Sequence, residues 1–248
     1  MPGKGEENIE AEMNFLDHLE EFRWRVIKSV IGIVIGGIIV GVFIDWIITN
    51  VLFAPAKNTN PPLMIINLKP FGQLTLYFEV ILVGGIILSI PNILYQFWKF
   101  IEPALKETER KYIVGIVFFS TLCFLSGIAF VYFVLLPTSL GFFATFGSAV
   151  IENQIAAEEY MSFVISLLLA GGIVFELPMV SFFLSKLGIL KPEFMRKYRR
   201  HAIVVILILA GILTPGPDIA SQLLLGIPLF LLYEFSILIC KYSQKKNE

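Results

Sequence analysis

The sequence predicts an all-α integral membrane protein, with six transmembrane helices in a curved bundle, kinked helices and a short hairpin formed by the fifth and sixth. Three observations carry this. The 248 residues are 56% hydrophobic and 16% charged, with a mean hydropathy of +0.80; a soluble chain carries about 25% charge and about 45–50% apolar residues. The apolar residues gather into six long stretches separated by polar connections. The basic residues fall almost wholly on alternate connections.

The first 14 residues are acidic and lack the apolar core of a cleavable signal peptide. They are expected to be a disordered cytoplasmic segment. Phe15, Leu16, Leu19 and Phe22 then recur at helical spacing and predict an amphipathic helix at the membrane face. A single membrane domain over 15–242 follows, with a short tail at 243–248. Its expected spans are 26–48, 71–98, 112–136, 161–185, 202–213 and 219–240. An uncharged loop is expected from Pro137 to Ile151. A spanning helix needs about 20 apolar residues to cross about 30 Å of hydrocarbon. The fifth stretch reaches only about 18 Å at about 1.5 Å per residue. It can cross only if Tyr198, Arg199 and Arg200 reach outward and the bilayer thins. The turn Thr214–Asp218 joins it to the sixth. Pro91, Pro178 and Pro228 lie inside spans two, four and six, where each removes a backbone hydrogen bond and favours a kink. Three glycine pairs, at 36–37, 84–85 and 171–172, allow close helix approach.

Of 19 Lys and Arg, all but Lys57 and Lys69 fall on the N-terminal segment, the second and fourth connections and the tail. The positive-inside rule therefore places both termini in the cytoplasm, which requires an even number of crossings. The net charge of −1 alone argues neither for nor against a nucleic-acid partner, and none is expected.

Ordinary catalytic patterns are missing. His18 and His201 sit near the cytoplasmic boundary, and there is no metal-binding, redox, nucleophile-elbow or phosphate-loop motif. Cys123 and Cys240 lie in apolar runs and read as packing residues. Neither an enzyme nor a cofactor nor a metal is expected. What remains is carboxylates. Glu20 and Glu21 stand on the amphipathic helix, and Glu109 stands in the second cytoplasmic connection. Taken as charges alone, they read more simply as a solvated face neutralised by Arg23, Arg110 and Lys111. Glu176 lies well inside the fourth span, where a carboxylate is costly and has to face the bundle interior or a wet cavity. It suits either a hydrogen bond to a neighbouring helix or a proton site. Asp218 is adequately explained as a cap of the sixth helix.

The motifs HLEEFR (His18–Arg23), PNILYQFWKFIEPALKETERK (Pro91–Lys111), FELP (Phe175–Pro178), LTPGPD (Leu213–Asp218), GIP (Gly226–Pro228) and LYE (Leu232–Glu234) resemble the TatC family, the polytopic core subunit of the twin-arginine protein translocase. The likeness covers nearly the whole chain after residue 14. It implies a glove-shaped six-helix bundle in the bacterial cytoplasmic membrane that recognises the signal peptide of folded export substrates. It further implies transport driven by the proton motive force, with TatA- and TatB-type single-span partners in an oligomeric complex. The family's arginine-contacting glutamates correspond to Glu21 and Glu109, with Glu20 beside the first. Its loop aromatic corresponds to Phe100, its loop proline to Pro103, its intramembrane glutamate to Glu176, and its structural prolines and outer aspartate to Pro55, Pro91 and Asp218. Three positions depart from the pattern: Phe22 replaces a leucine, Glu79 stands where lysine is common, and the TPGPD turn is longer than usual. The second reading is a proton-coupled secondary transporter using Glu176, although the internal repeat typical of that class is missing.

Overall fold

The computed structural model describes residues 4–104, 110, 113–145, 154–213 and 219–244. Helix α1 runs unbroken over Lys4–Val42. The expected disorder of the first 14 residues is thus corrected from Lys4 onward. Glu, Ala, Met and Lys in this segment are good helix formers, no proline interrupts them, and the adjoining apolar span has already met the cost of nucleation.

The end of the first predicted span is broken into short pieces. After Phe43 come α2 (Ile44–Ile47), a π-helical turn (Ile48–Leu52) and α3 (Ala54–Lys57). Buried Pro55 occupies the first turn of α3, where its missing N–H disturbs least. That N–H would have met the carbonyl of Val51 four residues back. The Tyr132 hydroxyl donates to this carbonyl instead, at 2.9 Å, and buried Tyr160 donates to the next, Leu52 O, at 2.6 Å. Two long-range hydroxyls thereby replace local backbone donors.

A small parallel sheet, absent from the expected architecture, pairs β1 (Met64–Ile66) with β2 (Gln154–Ala156). Its register sets Met64 against Gln154, Ile65 against Ile155 and Ile66 against Ala156. Between them run α4 (Gly72–Ile101), α5 (Ile113–Phe130), a π-helical turn (Val131–Leu135) and α6 (Leu136–Thr145). The expected loop from Pro137 is therefore helical as far as Thr145. The wide π turn ends just before Pro137 and relieves the clash between a proline ring and the preceding turn, so the helix continues.

The fourth span divides into α7 (Ala157–Val174) and α8 (Leu177–Lys186), with Pro178 in the first turn of α8. Pro178 accordingly ends one helix and begins another. Pro91 and Pro228 behave differently, since α4 continues through the first and α11 (Ile219–Gln244) through the second. Between α8 and α11 lie α9 (Pro192–Lys197) and α10 (Arg199–Leu213). Among the described residues, five helical stretches are long and apolar enough to cross a membrane: His18–Val42, Gly72–Ile101, Ile113–Thr145, Ala157–Lys186 and Leu225–Tyr242. The 15 residues of α10 fall short of a full crossing.

Backbone contacts divide the chain into two compact units, Met1–Val42 with Ile81–Phe118, and Phe43–Val80 with Phe119–Glu248. In the first, α1 and α4 meet at glycines. A Cβ on Gly36 would lie 2.7 Å from Gly85 O, and one on Gly85 would lie 2.7 Å from Ile33 O and 2.8 Å from Gly37 N. In the second, α5 and α7 meet at Gly127, Gly171 and Gly172, where a Cβ on Gly172 would strike the Phe124 ring at 2.7 Å. Here α11 packs along α8 and α10. Its buried Cys240 contacts the Ser181 carbonyl through Sγ at 3.3 Å, while the Ser185 hydroxyl donates to Cys240 O at 3.3 Å.

Backbone atoms cannot yield as side chains do, so Gly85→Val is expected to destabilise the chain by about 1–3 kcal/mol. A thermal melt in detergent, with Gly115→Ala as control at a site where a Cβ meets nothing within 4 Å, reads the difference.

Candidate functional site

Among the described residues, the carboxylates singled out in the sequence occupy two places, one in each unit. In the first unit, α1 brings His18 and Phe22 to the final turn of α4 and carries Glu21 and Arg25 beside them. The His18 ring stacks on Phe100, with centroids 4.5 Å apart and planes 20° from parallel. Phe22, one helical turn on, meets Phe100 at 5.4 Å in a tilted arrangement. Positions 18 and 22 share a face because residues four apart are helix neighbours. The same spacing sets Arg25 beside Glu21. Arg25 Nε donates to Glu21 Oε1 at 2.9 Å, and Nη2 contacts the same oxygen. His18 Nδ1 lies 3.8 Å from the other oxygen, Oε2.

Glu20 points elsewhere, since consecutive helical residues diverge by about 100°. Its side chain is 64% exposed and only loosely paired with Arg23, at 3.9 Å. The Glu21 and Arg25 side chains are 33% and 19% exposed. Beyond Phe100 the chain tightens into a 3₁₀ turn, Glu102–Ala104, in which Pro103 is exposed. Lys99 and Glu102 pair there at 2.6 Å. Glu109 lies outside the described residues. The structure thus brings Glu21 and Phe100 into one constellation, leaves Glu20 to solvent, and adds His18 and Arg25. Both additions stand at one-turn spacings from Phe22 and Glu21 and were available to a helical reading of the sequence.

In the second unit, Glu176 stands at the break between α7 and α8, with backbone φ −74° and ψ −12°. Pro178 places it there, because the residues before a proline leave the regular helix most readily. Glu176 is half-buried, and its Oε1 has no hydrogen-bond partner among the described residues. The fully buried Ser120 hydroxyl on α5 faces this carboxyl and is likewise unpaired among them. A polar group kept in this condition adds no stability of its own. Asp218, like Glu109, lies outside the described residues.

At the end of the chain that carries Lys57 and Lys69, Lys69 pairs with Glu158. This contact raises the Lys69 ammonium above its ordinary range. Tyr77 donates to Asp45. Among the described residues, no group of three or more His, Cys, Asp or Glu is placed to hold a metal ion.

A family model described as Sec-independent protein translocase protein (TatC) matches residues 17–228. The chain belongs to the TatC family. TatC of Carboxydothermus hydrogenoformans is 41% identical over 235 residues, covering 95% of this chain and 96% of that protein. TatC of Aquifex aeolicus is 36% identical over 238 residues, covering 95% and 98%. A solved structure described as the twin arginine translocase receptor TatC superposes with a TM-score of 0.77 at 37% identity, covering 92% of this chain and 99% of that one. The TatC family is a family of multi-pass translocase proteins and not of catalysts, which agrees with the carboxylate sites described above. The all-helical membrane fold expected from the sequence is that of the matched structure.

An unpaired buried oxygen costs stability, and Glu176 Oε1 has no partner among the described residues, so Glu176→Leu is expected to raise the unfolding midpoint by up to the about 1–3 kcal/mol that an unsatisfied polar group costs. A thermal melt in detergent that leaves the midpoint unchanged or lower would show that this carboxyl is compensated.

Proposed function

We propose that this TatC chain is the receptor for twin-arginine signal peptides on folded export substrates, acting at the cytoplasmic face of the bacterial inner membrane. It does so as a single six-span domain with both termini inside, in which the short α10 crosses where the bilayer thins. One arrangement carries the reading: a carboxylate, Glu21, set beside the aromatic cluster His18–Phe22–Phe100 in one unit. A guanidinium is always charged, binds carboxylates through a planar fork and stacks on aromatic faces. The pair of groups it prefers is present at one place.

Arg25 shapes how the site works. It already occupies Glu21 with Nε and Nη2, so an incoming arginine has to exchange with it. Exchange of one guanidinium for another is close to neutral, and exposed ion pairs contribute only about 0.2–1 kcal/mol each. The arginine pair therefore supplies selectivity, with Glu109 as the second carboxylate and Glu20 as an exposed neighbour. Most of the affinity comes from the signal's apolar segment against the membrane helices. Glu176 serves a different step. Its unsatisfied carboxyl is a site for a polar group on a TatA- or TatB-type partner helix during transport driven by the proton motive force.

Site-specific crosslinking from positions 21, 100 and 109 to a twin-arginine signal in membranes tests the receptor role. Strong products from all three are expected, and weaker ones at positions 21 and 109 from a signal with paired lysines. In a binding assay, Glu21→Ala and Glu109→Ala are expected to remove the preference for arginine over lysine; a preference left intact in both would overturn the assignment. Arg25→Gln frees Glu21, and is expected to tighten signal binding by about two- to fivefold, the value of one helical or partly exposed ion pair. Weaker binding in that variant would make Arg25 a support of the site instead of a competitor.

A further inference from the structure

The second unit holds a cavity that neither the signal-peptide reading nor the Glu176 reading uses. It has a volume of about 400 Å³ and lies where the π-helical turn, β1 and the first turns of α4 converge. Its floor is apolar and buried: Ile48, Leu63 and Leu76 are 7%, 8% and 3% exposed. Its rim is polar, formed by exposed Lys57, Asn67 and Gln73.

Three features say what fits. The first is depth. Trp46, 62% exposed and two residues before Ile48 of the cavity wall, is the kind of residue that marks the level where hydrocarbon meets headgroups. The second is the floor. Water needs two to four polar partners to settle in a cavity; those in the lining belong to Lys57, Asn67, Gln73 and Tyr77, and the floor of Ile48, Leu63 and Leu76 offers none, which suits an alkyl chain. The volume also lies within the about 300–1,000 Å³ of ordinary small-molecule sites. The third is charge. Of the two cations at this end of the chain, Lys69 is engaged by Glu158, while Lys57 has no carboxylate partner among the described residues. An ammonium above an apolar floor, with carboxamides beside it, matches an anion that carries an alkyl chain.

We propose that this cavity binds one anionic phospholipid from the leaflet opposite the basic connections, with an acyl chain on the Ile48–Leu76 floor and the headgroup phosphate on Lys57. The lipid would fill the gap between β1 and α4 and so brace the broken end of the first span.

Native mass spectrometry of the full chain in detergent tests this, with phosphatidylglycerol and phosphatidylcholine of the same acyl chains offered together. One retained phosphatidylglycerol is expected, preferred about fivefold, the value of one lysine near an anionic lipid surface. Lys57→Gln is expected to bring the preference to about one while a lipid is still held through its chain. Ile65→Trp, which fills the cavity from its wall, is expected to lose the retained lipid of either kind with helicity unchanged by circular dichroism. A preference that survives Lys57→Gln overturns the proposal. So does displacement of phosphatidylglycerol by excess inorganic phosphate, which would make Lys57 a site for free anions. Should the tryptophan variant fail to fold, the Lys57→Gln comparison decides alone.

Discussion

A backbone carbonyl left without a donor among packed apolar side chains is the constraint from which much of this structure follows. Such surroundings offer no replacement partner, so each break in a helix has to be answered by protein. Pro55 denies a donor to Val51, and Tyr132 supplies one from the π-helical turn some eighty residues away. Tyr160 does the same for Leu52 from α7. These two hydroxyls tie the broken end of the first span to the helices around it. The breaks thereby become fixed points of the second unit. At Pro178 the break serves another purpose: it sets Glu176 between two helices, with an oxygen that nothing described satisfies.

The two carboxylate sites differ in how their charge is kept available. Glu21 is held by its own helix, in a pair formed with one nearby arginine. The local cost is small and the carboxylate stays ready for exchange. Glu176 is held open by burial and by the shortage of donors around it. An exchangeable pair suits recognition of a transient cationic ligand at a water boundary. An unsatisfied group suits capture of a polar partner within the bilayer, where such a contact has few competitors. The first adds a little to helix stability, whereas the second gives some up.

Much of the site was legible because helical spacing is local. His18, Phe22 and Arg25 follow from positions four apart on one helix, as do the pairing of Glu21 with Arg25 and the divergence of Glu20. The placement of Phe100 against His18 was not legible, because it depends on how α1 and α4 cross. That crossing is set by glycine contacts whose partners the sequence does not name: Gly36 meets Gly85, while the adjacent Gly37 and Gly84 meet Ile81 and Val40. The helix through Pro137 was missed because a proline reads as a stop, and the preceding π turn that accommodates it has no sequence signature. The two short strands were missed because three residues are too few to show alternation.

From its amino acids alone the chain declares that it is a helical membrane protein, where its apolar stretches lie, and which family it resembles. Those properties depend on composition and on patterns within single segments, and solvent selects them without reference to the rest of the molecule. The tertiary structure alone decides which carbonyls the tyrosines rescue, which carboxylate is paired and which is left open, and where a cavity forms above Ile48 and Leu76. Each of these is a contact between segments far apart in the chain, fixed by packing geometry that no local pattern encodes.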